Sequence, residues 1–414
     1  MNATTVGGTN AAPAEHAAAS KAATDRVLAI DAFRGLTILV MIFVNTLSGV
    51  HGIPAWAEHM PGDVDGMTFV DVVFPAFLFI VGMSIPFALA QREAKGDTPL
   101  QVWKHVALRA LGLIVLGVFM VNAEDGYNEA AMGMSIYLWS LLFYVCAMLV
   151  WSVYRFENKT LTLVLRGIGV AGLLALACVF RGGQRGELYL APQWWGILGL
   201  IGWAYLITCV FYRITRGSVI GLMACLAACS AYYCFGHMNA LQGSDALEIL
   251  FSQSDDASHG SIVTAGLITS LMFFGRNKTA TLQSRYIQTA LFASALFVAG
   301  YLLRPAFKIS KIYATPTWCL YSAAICVLLF GLLYWVVDLK KIQGWTTFFK
   351  PAATNPLLTY IIPYIVYALM QYMHWSWPSV FGAGWPGAAF AAGYAVAVMA
   401  LVISLNRLHI RLQL

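Results

Sequence analysis

About a dozen apolar stretches, each close to the length of one membrane crossing, recur along this 414-residue chain. A helix needs roughly 20 mostly apolar residues to cross the hydrocarbon core of a bilayer. The chain is 60% hydrophobic and only 11% charged, whereas soluble domains are about 25% charged. The sequence therefore predicts an all-α, polytopic transmembrane helical bundle of about 12 helices, within a range of 10–12.

Domain organisation is predicted to be simple. Residues 1–26 are rich in Ala, Thr, Ser and Gly, which favours a flexible tail. Residues 27–414 are expected to form a single transmembrane domain. The expected spans are residues 28–49, 68–90, 102–122, 134–154, 163–180, 193–212, 217–236, 260–275, 286–303, 317–337, 354–372 and 386–406.

The positive charges predict the orientation of the bundle. With these spans, nineteen of the 25 Lys and Arg residues lie in the tail, in the even-numbered loops and in their flanks, and only five lie in the odd-numbered loops. Positive residues concentrate on the cytoplasmic side of membrane proteins. Both termini are therefore predicted to be cytoplasmic, and the odd-numbered loops to face the opposite compartment.

The first two spans flank a polar loop that contains a histidine. The three segments read DAFRGLTILVMIFVN, HGIPAWAEHMPGDVDGMT and FVDVVFPAFLFIVG. They place Asp31, Arg34, Asn45, His59 and Asp71 at or within the membrane, where polar groups are costly and mark functional sites by default.

His59 is a candidate general base, general acid or nucleophile, because imidazole titrates near neutral pH. Four other histidines predicted on the same side compete for this role, namely His51, His237, His259 and His374. Their spacing matches no metal motif, so no metal site is predicted.

Asp71 and Asn45 each have two interpretations. Thr68 and Asp71 form a T-x-x-D capping pattern, and a carboxylate fixed in this way could also orient the imidazole. Asn45 could bridge two helices or contact an oxyanion or hydroxyl beside His59.

Arg34 is three residues from Asp31 on the cytoplasmic turn of the first span. The two side chains share a helix face and could form an ion pair. The alternative is that Arg34 binds a phosphate group.

The segments around His59 closely resemble the opening of the heparan-α-glucosaminide N-acetyltransferase family. That family reads D-x-FRG-x-x-x-x-x-M-x-FVN, then HA-x-WNG-x-T-x-x-DLVFP-x-F-x-FI-x-G. Further matches cover KISKIYATPTW, LYWVVDLKKIQGW and NPLLTYIIPY. Among bacterial members, the chain is similar to NagX-type inner-membrane proteins. It departs from the family where HMPGDVDG replaces HA-x-WNG, which alters the expected acceptor pocket.

The resemblance implies transfer of an acetyl group from cytoplasmic acetyl-CoA to the amine of a glucosamine-type sugar on the periplasmic side of a bacterial inner membrane. It implies catalytic roles for His59, Asn45 and Asp71. Phosphates of coenzyme A would be bound by cytoplasmic basic residues, and the acceptor by outer charged ones. These candidates are Arg34, Lys104, Arg276 and Lys278 for coenzyme A, and Asp65 and Lys311 for the acceptor.

Acetyl-CoA is thus the expected donor, membrane lipid an expected partner and nucleic acid not, and a homodimer stays open. The alternative function is a secondary transporter of N-acetylglucosamine or a related sugar. Twelve helices would suit a transporter, although no internal repeat is visible.

Overall fold

The computed structural model describes residues 27–238, 251, 253–275 and 281–414. These residues form fourteen α-helices that pack around one large hydrophobic core. The helices are α1 Leu28–Leu47, α2 Val70–Ala94, α3 Pro99–Glu124, α4 Glu129–Met132, α5 Ile136–Trp151, α6 Lys159–Val179, α7 Gly196–Ile214, α8 Val219–Gly236, α9 Ser254–Phe274, α10 Leu282–Phe307, α11 Pro316–Tyr334, α12 Thr346–Thr354, α13 Pro356–Tyr372 and α14 Gly384–Arg407. The tail 1–26 lies outside the described residues.

Every predicted span corresponds to a helix, which confirms the all-α membrane bundle. Ten helical segments, including α11 with its π-helical extension to Leu339, are long and apolar enough to cross a bilayer. The helix α5 is shorter, with 16 residues. The helices α12 and α13 meet at a bend of 84°, so this span is broken or re-entrant.

Side-chain caps fix several helix starts. Thr98 and Gln101 form a full capping box before α3, where Pro99 occupies the first turn. Thr315 caps α11 through a single bond, in which its hydroxyl accepts from the Trp318 N–H. Asn355 occupies the N-cap position of α13, but its side chain makes no cap hydrogen bond. Asn355 precedes Pro356 at the start of α13, but its amide binds the C-terminal segment instead.

Paired glycines bring α2 and α9 into close contact. A Cβ on Gly82 would lie 1.8 Å from the Val263 carbonyl oxygen, and one on Gly266 would lie 1.9 Å from the Phe79 carbonyl oxygen. Only glycine permits this backbone approach. The contact matters for the site because α2 begins beside Asp71.

The two chain ends that the structure describes lie at the same end of the bundle. At the start of α1, the Ala29 N–H donates to Asp338. Asn355 binds the backbone of Ile410 and Leu412. The loop after α1 lies at the opposite end, where the backbones of His51 and Gly382 are hydrogen-bonded. The cytoplasmic placement of the termini stays a prediction.

Candidate functional site

A histidine–carboxylate pair lies in the loop between α1 and α2. The Nδ1–H of His59 donates to Asp71 Oδ1 at 2.7 Å. The side chain of Asp71 is 1% exposed, whereas that of His59 is 35% exposed. Because a carboxylate only accepts, this bond places the proton on Nδ1 and the ring lone pair on Nε2. Nε2 is therefore the ring nitrogen that can act as a base or a nucleophile.

Backbone groups hold the second oxygen of Asp71. Oδ2 accepts bonds from the N–H of Thr68 at 3.0 Å and the N–H of Met60 at 3.3 Å. The Thr68 hydroxyl donates to the carbonyl of Glu58 at 2.8 Å, which joins the two segments that carry His59 and Asp71. The T-x-x-D pattern thus acts as half of a capping box and also orients the imidazole.

A lysine from a distant loop completes the cluster. Lys311 Nζ lies 3.1 Å from Nδ1 and 3.2 Å from Nε2 of His59. An atom nearly equidistant from both ring nitrogens at this range lies over the ring face, because Cε1–H blocks the in-plane position between them. The ammonium therefore does not point along the Nε2 lone pair, which stays available to a substrate.

Loop-to-loop bonds fix the position of Lys311. Asp65 accepts a bond from Arg304 Nε at 3.0 Å and one from the Ile309 N–H at 2.8 Å. The Gly66 N–H in turn donates to the Ile309 carbonyl at 3.2 Å. The indole of Trp318 donates to the Asp71 carbonyl at 3.1 Å. The segment before α11 is therefore tied to the His59 loop at several points.

Two loop residues of the cluster have shifted pKa values. Burial lowers the pKa of Lys311, and the negative charge of Asp71 only partly opposes this effect. The backbone hydrogen bond from Ile309, together with Arg304 and Lys308, lowers the pKa of Asp65 against a smaller desolvation effect. The cluster therefore holds a partly desolvated ammonium beside an imidazole and a firmly ionised carboxylate nearby.

Among the described histidines, His59 is the one that pairs with a side-chain carboxylate. His259, predicted as an outer competitor, is buried in α9, and its Nδ1–H donates to the Asp255 carbonyl. Its ring packs against Phe74 and Trp318. In the described ranges, no group of three or more His, Cys, Asp or Glu side chains is placed to hold a metal ion.

Asn45 lies at the same end of the bundle as the His59 loop. Its side chain is exposed, and its backbone carbonyl accepts a bond from Ser48 Oγ at 2.8 Å. Within the described residues, no hydrogen bond joins the Asn45 amide to His59 or Asp71. The proposed catalytic role of Asn45 stays a prediction.

The candidate coenzyme A ligands are dispersed. Arg34 donates to Asp31 at 3.3 Å, to Ser84 Oγ at 2.5 Å and to the Ala353 carbonyl at 3.4 Å. The guanidinium therefore forms the predicted ion pair and also joins α1 to α2 and to α12, the first half of the broken span. Lys104 is exposed near the start of α3. Arg276 and Lys278 lie outside the described residues, so their predicted role has no structural description.

A large apolar groove lies away from this cluster. It has a volume of about 1140 Å³ and runs between α8 and α10, from Val219 and Gln288 to Met238 and Leu302. These two helices are among the least buried candidate spans. The groove therefore faces the lipid rather than the imidazole.

Two comparisons relate the chain to known proteins. A family model described as "Domain of unknown function (DUF5009)" matches residues 26–229, about half of the chain. The heparan-alpha-glucosaminide N-acetyltransferase of Mus musculus is 32% identical over 102 residues, which is 25% of this chain and 15% of the mouse protein. The Homo sapiens protein is 32% identical over 97 residues, 23% of this chain and 14% of its own length.

These matches confirm the resemblance to the heparan-α-glucosaminide N-acetyltransferase family, over about a quarter of the chain. The aligned region covers only a small part of each relative. The closer likeness to bacterial NagX-type proteins stays a prediction.

Proposed function

We propose that this multi-pass membrane protein transfers an acetyl group from acetyl-CoA to the amine of a glucosamine-type sugar. The observation that carries the proposal is the buried Asp71 carboxylate, which holds the partly exposed His59 with its ring lone pair on Nε2, at the end of the bundle opposite the described chain ends. The similarity to N-acetyltransferases supports the reaction class.

His59 could serve this reaction in two ways. In direct transfer, Nε2 takes a proton from the sugar ammonium, and the free amine attacks the thioester carbonyl and releases the coenzyme A thiolate. In the two-step route, Nε2 attacks the thioester, the C–S bond breaks and an acetyl-imidazolium forms. The amine then attacks this acetyl group, loses a proton and leaves the imidazole regenerated. In both routes, Asp71 stabilises the positive imidazolium.

Lys311 would stabilise negative charge in the same reaction. Each route passes through a tetrahedral intermediate whose oxygen is negative. The Lys311 ammonium lies over the ring face, 3.2 Å from Nε2, within reach of an oxygen next to Nε2. A fixed cation in such a position lowers the barrier because its charge needs no reorganisation. Asp65, tied to Arg304, adds a fixed negative charge toward a cationic acceptor.

Acetyl-CoA would enter from the opposite end of the bundle. We propose Arg34 and Lys104 as its phosphate contacts, together with Arg276 and Lys278. The phosphate contacts and His59 lie at opposite ends of the bundle, and α1 alone spans about 30 Å. The pantetheine arm would therefore have to reach into the bundle toward His59. With the predicted charge orientation, the donor is cytoplasmic and the acceptor is periplasmic, across a bacterial inner membrane.

The test uses purified protein in detergent with radiolabelled acetyl-CoA and glucosamine. Wild type is expected to form labelled N-acetylglucosamine. His59→Gln is expected to lose this activity, and His374→Gln, at another exposed histidine of the same side, is expected to keep it. Equal activity in wild type and His59→Gln would overturn the proposal.

The transporter alternative has one observation in its favour. The bend of 84° between α12 and α13 gives a broken span, a feature common at transporter binding sites. Flux of N-acetylglucosamine into proteoliposomes without acetyl-CoA would support transport. Absence of such flux, together with acetyl transfer in detergent, would exclude it as the main function.

A further inference from the structure

A small cavity, separate from the apolar groove, lies between α3, α7 and α13. None of its lining residues belongs to the His59 cluster. Its volume is about 150 Å³, which equals roughly five water molecules at about 30 Å³ each. The lining combines one carboxylate and three aromatic side chains with two glycines and four apolar side chains. The residues that matter here are Glu124, Trp194, Gly196, Tyr360 and Tyr364.

Glu124 is the unusual member of this lining. It is the last residue of α3, it lines the cavity, and it is exposed. Within the described residues, its carboxylate accepts no hydrogen bond and forms no ion pair. In a small binding pocket, a few polar groups fix the orientation of the ligand, and Glu124 is the charged group of this lining. Glu124 therefore has the character of a group that receives a ligand.

The other walls suit an organic cation with hydroxyl groups. Tyr360 and Tyr364 are hydrogen-bonded to each other at 3.1 Å between their hydroxyl oxygens. That pair retains donor and acceptor capacity toward a third group. Trp194 and Tyr364 also line the cavity, and aromatic rings of these types attract an ammonium ion. An anion is disfavoured, because the lining contains a carboxylate and no Lys or Arg.

We propose that this cavity, centred on Glu124, binds the ammonium of the amino-sugar acceptor before the sugar moves to His59 for acetyl transfer. The inference rests on the proposed function for the identity of the ligand. It adds a binding site that determines selectivity for the protonated amine over the neutral N-acetylated product. Loss of the positive charge on acetylation would remove the contact with Glu124, so the product would not compete with the acceptor for this cavity.

Binding can be measured without turnover, in wild type free of acetyl-CoA. Isothermal titration is expected to give tighter binding of glucosamine than of N-acetylglucosamine. Glu124→Gln should weaken glucosamine binding about tenfold, between the effects of exposed and buried charge pairs, and leave N-acetylglucosamine binding unchanged. Glu157→Gln removes the same charge from an exposed residue in the loop between α5 and α6 and should leave both affinities unchanged.

Three results would overturn the site: equal glucosamine affinity in Glu124→Gln and wild type, an equal loss for both sugars, or an equal effect of Glu157→Gln. A thermal melt establishes that Glu124→Gln is folded. Failure here is separable from failure of the proposed function. Acetyl transfer with an unchanged KM for glucosamine in Glu124→Gln would refute the binding site at Glu124 but not the proposed function. Charge-selective binding of glucosamine without any acetyl transfer would refute the proposed function but not the binding site.

Discussion

Replacing Asp71 by Asn should invert the proton position on His59. The oxygen of the substituted amide would keep the two backbone N–H bonds that Oδ2 now accepts from Thr68 and Met60. The amide nitrogen would then face Nδ1 of His59 and could only donate to it. Nδ1 would become the acceptor, and the proton would move to Nε2. The nitrogen that must attack or accept a proton would lose its lone pair.

The expected loss of activity is large and the loss of stability small. Removing the orienting partner of a functional histidine costs about 10–100-fold, and imposing the wrong tautomer on a catalytic histidine costs about 10⁴-fold. We therefore expect a loss of about 10²- to 10⁴-fold, or about 3–5 kcal/mol in barrier height. The free energy of unfolding should fall by only about 1–2 kcal/mol, for one charge-assisted hydrogen bond.

The assay is acetyl transfer to glucosamine, with a thermal melt on the same preparation. Glu157→Gln provides the control, since Glu157 is an exposed carboxylate in the loop between α5 and α6, away from the His59 loop. Activity of Asp71→Asn above about one tenth of wild type would refute the tautomer reasoning. So would a loss that merely follows unfolding.

Three further predictions concern the surroundings of this pair. Lys311→Met should lower activity about 10²-fold but raise the melting temperature at neutral pH. Burial lowers the pKa of the Lys311 ammonium, so its charged form costs stability below that pKa. Asp65→Asn should lower the melting temperature at pH 5–7, and the difference should vanish as pH falls through the lowered pKa of Asp65, below 3.8. In a melt series, Gly82→Ala should cost more than about 3 kcal/mol, whereas Gly393→Ala, with open space at Cβ, should not.

Each of these three has a contradicting result. Equal activity in Lys311→Met would remove the lysine from the mechanism. A melting difference for Asp65→Asn that persists unchanged at low pH would mean that the Asp65–Arg304 pair contributes nothing through its charge. A neutral Gly82→Ala would contradict the close approach of α2 and α9.

The membrane bundle could be predicted from the sequence because hydrophobicity alone determines which segments can cross a bilayer. All twelve predicted spans correspond to helices, including α6 and α9, whose predicted spans are among the shortest. The bend before Pro356 could not be predicted, since it depends on the contacts of Arg34 and Asn355 with distant backbone groups. Asn355 occupies the cap position before Pro356, but its side chain binds the backbone of Ile410 and Leu412, which no local sequence pattern indicates.

The site was predictable only in part. His59 and Asp71 are twelve residues apart, and a capping pattern marked where the carboxylate would be held. The approach of Lys311, 252 residues away along the chain, follows from packing of α11 against α2 and carries no local signal. The sequence marks Glu124 only as one of many outer acids, because no sequence pattern indicates that its carboxylate lacks a partner.

The most direct test of the account uses sealed proteoliposomes with the two substrates in separate compartments. Radiolabelled acetyl-CoA is supplied only on the side of Lys104, and glucosamine only on the side of His59. The account predicts labelled N-acetylglucosamine in the His59 compartment, with no label when His59 is replaced by Gln. Product formed only when both substrates share one compartment would contradict it.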